Sequence, residues 1–113
     1  MVKFINYQEK QYPVRVSYWA MKALKEKSGK RFEEIDEDVA LYEPLFFAAL
    51  QAGAWEMNQE LKIKEEDVPK VLDACFFEFI SFIPEFFQKE PSLQKIGGQA
   101  PKNVKQPVKE LKK

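Results

Sequence analysis

The residues of this chain that could do chemistry are carboxylates, and eight of the eighteen fall in two acidic segments. The first has five acids between residues 33 and 38, and the second is Glu65-Glu66-Asp67. Dense carboxylates can bind Ca²⁺, but an EF-hand loop needs alternating oxygen ligands and a central glycine, which the first segment lacks. Paired carboxylates that cleave glycosides need a cleft, and nothing in so short a chain indicates one. We interpret the first segment as solvated, helix-capping acids and the second as the acidic start of a helix.

Other residue types that carry catalysis or bind metals are scarce. The chain has no histidine, which removes the commonest general base and the commonest zinc ligand. Its single cysteine, Cys75, lies on an apolar helical stripe and is interpreted as a small core residue. Gly97-Gly98 has neither the strand-to-helix context nor the lysine of a phosphate-binding loop. We therefore predict no catalytic, metal or cofactor site, and a protein that is not an enzyme.

Alternating apolar and polar side chains near the N-terminus predict a β-hairpin. One strand is expected at Val2–Tyr7 and the other at Gln11–Val16, joined by a turn at residues 8–10. Pro13 cannot donate a ladder hydrogen bond, so its strand is expected at a sheet edge. A lone hairpin is marginal in water, and we expect this one to pack on helices.

Two apolar segments after the hairpin predict the first two of about three main helices. The first is expected from about Tyr18 to Lys27, because Ser17 is a good N-cap and Gly29 supplies a left-handed stop. The second is expected over about residues 44–59, with a proline in its first turn. Gly53 on its inner face costs about 1 kcal/mol relative to alanine, and a close helix–helix approach would compensate for this cost.

The third predicted helix is apolar over most of its circumference. Pro69 fits its first turn, and Pro84 is expected to kink or end it. One stripe of i, i+3, i+4 spacing predicts its buried face, but Phe77 and Phe82 point to either side of that stripe. The first two helices carry the same kind of off-stripe ring at Trp19, Phe47 and Trp55. The core of a 113-residue chain is small, so these rings are candidates for contact with another chain.

Composition divides the chain into a body, residues 1–90, and a tail, residues 91–113. The tail contains three prolines, two adjacent glycines and six lysines against one acid, and we predict that it is disordered. We interpret it as a solubilising segment, because the body lacks the basic, aromatic-bearing stripe of a nucleic-acid-binding protein. The predicted fold is thus α+β and predominantly α: an N-terminal hairpin, about three packed helices and a disordered basic tail.

The sequence also indicates a location. No apolar run reaches the roughly 18 residues of a membrane span, and the N-terminus lacks the apolar core of a signal peptide. We therefore expect a cytoplasmic protein with no membrane partner.

Four sequence phrases, taken in chain order, carry a resemblance to a known family. They are Tyr12-Pro13-Val14-Arg15-Val16, Trp19-Ala20-Met21-Lys22-Ala23-Leu24, Glu43-Pro44-Leu45-Phe46-Phe47-Ala48-Ala49-Leu50 and Ile63-Lys64-Glu65-Glu66-Asp67-Val68. Over about residues 3–88 the chain resembles the small tail assembly chaperones of long-tailed (siphovirus-type) bacteriophages and their prophages.

The resemblance implies a mostly helical, non-enzymatic protein of the host cytoplasm. Such chaperones coat the long helical tape measure protein, keep it soluble until tube subunits polymerise around it, and are absent from the finished virion. The implied partner is therefore the tape measure protein. The tail tube protein is a possible second partner, through a longer frameshifted form common in the family. Lys112-Lys113 is compatible with an adenine-rich slippery site for such a frameshift.

The predicted partner-binding residues are six rings that lie off the main helical stripes or on the last helical turn: Trp19, Phe47, Trp55, Phe77, Phe82 and Phe86. The alternative function is a structural or adaptor protein of the phage tail or head–tail connector. Such a protein would self-associate into a homo-oligomer through the same aromatic-rich helices.

Overall fold

A computed structural model describes residues 1–94 of the chain, except the side chains at positions 36, 37 and 94. An antiparallel hairpin is followed by packed helices, which confirms the predicted fold class. The strands are β1 (Lys3–Tyr7) and β2 (Lys10–Val14), and the helices are α1 (Tyr18–Ser28), α2 (Tyr42–Glu56), α3 (Val68–Lys89) and α4 (Pro91–Gln94). Short 3₁₀ turns occupy Phe32–Glu37, Val39–Leu41 and Glu65–Asp67.

The hairpin turn is tighter than predicted. Gln8 and Glu9 alone form it, with φ values of 52° and 65°. Positive φ at both central residues is the type I′ geometry, whose twist matches that of the flanking strands. As a result β2 begins at Lys10, one residue earlier than predicted. Both strands are shorter than predicted at the ends away from the turn, because β1 begins at Lys3 and β2 ends at Val14.

Gly53 marks a close approach between α2 and the hairpin, not between two helices as predicted. A Cβ on Gly53 would lie 2.7 Å from the backbone nitrogen of Val14 and closer still to the carbonyl of Pro13. Beside this contact, the backbone N–H of Arg15 donates to the carbonyl of Ala49 at 3.0 Å. The absent side chain therefore lets the second strand lie directly on α2.

The first helix begins where it was predicted, but its cap differs. Ser17 precedes α1 and its carbonyl accepts from Met21 N–H at 3.0 Å, yet its hydroxyl makes no capping hydrogen bond. That hydroxyl is buried without a partner. Gly29 has φ 76° and its N–H donates to the carbonyl of Lys25, which confirms the predicted left-handed stop.

The third helix continues through Pro84, contrary to the prediction that it would kink or end there. Its non-helical backbone lies instead at Cys75, with φ −127° and ψ 22°. The buried stripe runs on beyond the proline, because Ile83 and Phe86 are both fully buried. Their burial on either side of Pro84 offsets the backbone hydrogen bond that proline cannot make.

The packed body extends past the predicted boundary at residue 90. Leu93 in α4 is 1% exposed and belongs to the same core cluster as Phe79 and Phe86. Residues 91–94 are therefore part of the body and not of the tail. The rest of the predicted tail, residues 95–113, lies outside the described residues.

Candidate interaction surfaces

The six predicted partner-binding rings divide by exposure. Phe77 is 79% exposed and Trp55 63% exposed. Partly buried are Trp19, Phe47 and Phe82. Phe86 is fully buried, so the structure removes it from the partner-binding set. It continues the buried i, i+3, i+4 stripe through Pro84, where the sequence analysis expected the helix to change direction.

An open groove of about 550 Å³ lies beside Phe77. We call it the Phe77 groove, and it is lined by Val39, Ala40, Glu43, Pro69, Leu72, Asp73, Ala74, Cys75, Phe76, Phe77 and Glu78. The first half of α3 forms one wall, and the 3₁₀ turn before α2 and the start of α2 form the other. The change of backbone direction at Cys75 falls within this wall.

Neighbouring rings explain why Phe77 faces outward. Phe76 packs edge-on against Tyr42, with ring centroids 5.2 Å apart, and Phe79 packs edge-on against Phe46 at 4.9 Å. These contacts fix the rotation of α3 about its axis. Phe77 then projects away from the core, and the centroid of its ring lies 5.6 Å from that of the Phe76 ring.

The charged residues that line the Phe77 groove are all acidic: Glu43, Asp73 and Glu78. Glu78 is held in place by the hairpin, because its carboxylate accepts from the backbone N–H and the side-chain Nδ2 of Asn6, both at 3.2 Å. An apolar floor with an acidic rim suits an apolar segment that carries basic residues on either side.

Cys75, which lines the groove, is not an activated nucleophile. Burial, and to a lesser degree the negative charge of Glu78, raises the pKa of the Cys75 thiol to about 11. The thiol therefore stays protonated at neutral pH and is a poor nucleophile. Across residues 1–94, side chains 36, 37 and 94 apart, no cluster of three or more cysteine, aspartate or glutamate residues could hold a metal ion.

A second aromatic surface lies where α1 and α2 meet. The rings of Trp19 and Trp55 contact each other with centroids 4.6 Å apart and planes tilted by 58°. Tyr18, next to this pair in sequence, is 55% exposed. Its backbone N–H donates to the hydroxyl of Ser92 at 3.0 Å, so Tyr18 lies by the end of α3 that is remote from the Phe77 groove.

Phe82 is partly covered by the hairpin. The ammonium of Lys3 lies 5.6 Å from the centre of its ring and also forms an ion pair with Glu85 at 2.7 Å. Phe82 packs against the core cluster on its other side. The sequence pattern correctly placed it off the main stripe but could not reveal that β1 lies over it.

Val39 is a surface residue that no sequence pattern indicated. It is 68% exposed and lines the Phe77 groove. Its position follows from the turn, because the carboxylate of Asp38 accepts from the N–H of Ala40 at 3.0 Å. Asp38 belongs to the acidic segment that was interpreted as helix-capping, with either Asp36 or Asp38 as the cap. A cap at Asp38 was the available signal that Val39 lies on a tight turn.

The chain matches no protein-family model, and comparisons with curated proteins and with solved structures find no significant match. Of the helices described in residues 1–94, none has the length and apolarity needed to cross a membrane.

Proposed function

We propose that this chain is a non-catalytic tail assembly chaperone that binds apolar helical segments of a tape measure protein and keeps them soluble. The observation that carries the proposal is the 79% exposure of Phe77 beside an open apolar groove. The resemblance in element order and local phrases supplies the identity of the client.

The exposure of Phe77 has an energetic consequence. Burying a phenylalanine side chain contributes about 1.5–3 kcal/mol relative to leaving it in water. Phe79, only two residues further on, is fully buried, so α3 is held by a well-packed core. The exposed ring is therefore a fixed feature of the surface, and a partner that covers it recovers this free energy.

The shape of the surface suits a helical client. An amphipathic helix can place its apolar face in a groove between two elements, and aromatic side chains are the usual energetic centres of such contacts. Phe77 and Val39 stand on opposite walls of the groove and offer apolar contacts to both sides of an inserted helix. The acidic rim favours client segments in which basic residues flank the apolar stripe.

Co-expression with overlapping segments of a tape measure protein tests the proposal. Wild-type chain is expected to increase the soluble yield of at least one segment and to elute with it as a complex. Phe77→Ser is expected to abolish the complex, whereas Tyr18→Ser, which removes an exposed ring by the remote end of α3, is expected to retain it. Unchanged solubility of every segment, with no shared elution, would reject the proposal.

The alternative, a self-associating structural or adaptor protein of the tail or connector, is favoured by a specific feature. The Phe77 groove and the Trp19–Trp55 pair are two different apolar surfaces. A heterologous contact between unlike surfaces can join copies into rings or filaments. Sedimentation of the pure chain over a range of concentrations tests this alternative, because self-association through two unlike surfaces gives species that grow with concentration.

A further inference from the structure

The chain has two parts of opposite net charge. Residues 1–94 contain 12 basic and 17 acidic residues, a net charge of −5, whereas residues 95–113 contain six lysines and one glutamate, a net charge of +5. The charged residues that line the Phe77 groove, Glu43, Asp73 and Glu78, are all acidic. They lie beside exposed apolar side chains such as Phe77 and Val39. The groove therefore attracts a basic segment that also carries apolar side chains.

The last residues of the sequence have that chemistry. Val104, Val108 and Leu111 are spaced by four and three positions. Lysines immediately follow each of them, at positions 105, 109 and 112. This segment could place three aliphatic side chains on an apolar floor while its lysines reach an acidic rim.

The connecting chain is long enough to allow this contact within one molecule. The helical rise from Phe77 to the end of α3 at Lys89 is about 18 Å at 1.5 Å per residue, and Glu90 with α4 adds at most about 10 Å before residue 95. Residues 95–104 can span up to about 33 Å when extended. A short tether of this kind gives the tail an effective concentration in the millimolar range at the groove, so even weak contacts would be populated.

We propose that residues 104–112 dock in the Phe77 groove of the same chain and occupy it when no partner is bound. The docking itself follows from the groove, the charges and the length of the connecting segment. If the chain is a chaperone, as proposed above, a client must displace the tail to bind. Only clients with stronger apolar contacts than the tail then bind, and this second step rests on the proposed chaperone function.

Paramagnetic relaxation in the full chain tests the docking directly. A nitroxide is attached to the Lys112→Cys variant at neutral pH, where the buried, protonated thiol of Cys75 does not react. Mass spectrometry confirms a single label. We expect loss of the backbone amide signals of Ala40, Ala74 and Phe77 in the groove, and much weaker loss at the far end of α3, such as Lys89, which lies about 18 Å along the helix from Phe77.

A charge-matched variant separates docking from simple attraction. Val104→Ser, Val108→Ser and Leu111→Ser together keep every lysine, and we expect this variant to restore the groove signals. Phe77→Ser in the labelled chain should restore them as well. Signal loss that persists in the triple variant would overturn the proposal, because the contact would then be electrostatic only.

Two further outcomes would also overturn it. One is the absence of signal loss at the groove, or loss centred on another surface. The other is signal loss in isotope-labelled chains mixed with separate, spin-labelled chains, which would show that the occupant comes from a second copy. None of these measurements contains a client, so failure here leaves the chaperone proposal standing, and failure to bind a tape measure segment leaves the docking standing.

Discussion

The carboxylate of Glu90 accepts two hydrogen bonds from the guanidinium of Arg15, from Nε to Oε1 at 3.2 Å and from Nη2 to Oε2 at 2.7 Å. The Glu90 side chain is fully buried, and the Met1 ammonium lies 3.3 Å from Oε1. The hydroxyl of Ser92 donates to Oε2 at 3.3 Å. This network ties the chain just after β2 to the end of α3, which fixes the hairpin over the helices.

Loss of Arg15 should therefore destabilise the fold strongly. Arg15→Met keeps much of the side-chain volume but leaves the buried Glu90 carboxylate without its bidentate partner. Breaking a buried ion pair in this way costs about 3–5 kcal/mol, and we expect a loss of that order in urea unfolding. Lys22→Met is the control, because the exposed Lys22–Glu26 pair at 3.8 Å should contribute less than about 0.5 kcal/mol. Equal losses in both variants would contradict the assigned role of the network.

The same carboxylate makes stability depend on pH. Burial is the largest single influence and raises the pKa of Glu90, but the hydrogen bond and charge of Arg15, together with the Met1 ammonium, hold it below its ordinary value. Because the folded pKa is the lower one, the stabilisation is complete above the unfolded glutamate pKa of about 4.3 and is lost as the pH falls through the folded pKa.

The measurement is the melting temperature of wild type and Glu90→Gln between neutral and acidic pH. Wild type should be the more stable protein near neutral pH, and the gap should narrow below about pH 4.3. The salt bridge from Lys3 lowers the pKa of Glu85 as well, but Glu85 is present in both proteins and cancels in the difference. A gap that is independent of pH would show that ionised Glu90 is not the stabilising species.

Gly53→Ala should destabilise the protein, although alanine is usually better than glycine in a helix by about 1 kcal/mol. The added Cβ would lie 2.7 Å from Val14 N, and backbone atoms cannot move aside as a flexible side chain can. Overpacking of this kind costs about 1–3 kcal/mol, which we expect to see as a lower urea midpoint. Ala23→Gly in α1 supplies the ordinary propensity effect for comparison. A more stable Gly53→Ala protein would mean that the hairpin does not rest on α2 in solution.

The elements could be predicted from sequence more fully than the contacts between them. Helix stops and starts at Gly29 and Pro69 follow from local backbone chemistry and were predicted correctly. The type I′ turn at Gln8-Glu9 was missed because it lacks the Asn-Gly or Asp-Gly signal of such turns. The burial of the Glu90 side chain was not predicted, because its partner, Arg15, is 75 positions away in the sequence.

At the candidate site too, the positions of residues on helices could be predicted but the contacts between elements could not. Helical periodicity was enough to place Phe77 off the buried stripe, which made it a candidate before any contact was known. Periodicity could not separate Phe77 from Phe82, because the difference depends on Lys3 and the hairpin lying over only one of them. Nor could it place Val39 on the opposite wall of the groove, since that requires the packing of two segments distant in sequence.

The short helix α4 should contribute to stability even though the sequence resembles a tail from residue 91 onward. Leu93 is 1% exposed, and truncating a buried leucine to alanine costs about 2–5 kcal/mol. We therefore expect Leu93→Ala to lower the melting temperature clearly. Pro91→Ala, at an exposed position of the same helix, should change it little. If both variants melt like wild type, α4 is not part of the cooperative fold.

Three phenylalanines of α3 should respond differently to truncation, in the order of their burial. Phe79→Ala should cost about 3–5 kcal/mol, because the ring is fully buried against Phe46. Phe82→Ser should cost less, since its ring is partly buried beneath Lys3. Phe77→Ser should cost least, because residues 1–94 leave its ring exposed and only the weakly bound tail is proposed to cover it. Urea unfolding of the three variants checks this order. A loss in Phe77→Ser as large as that in Phe79→Ala would contradict the order, because the Phe77 ring would then be covered as completely as a core residue.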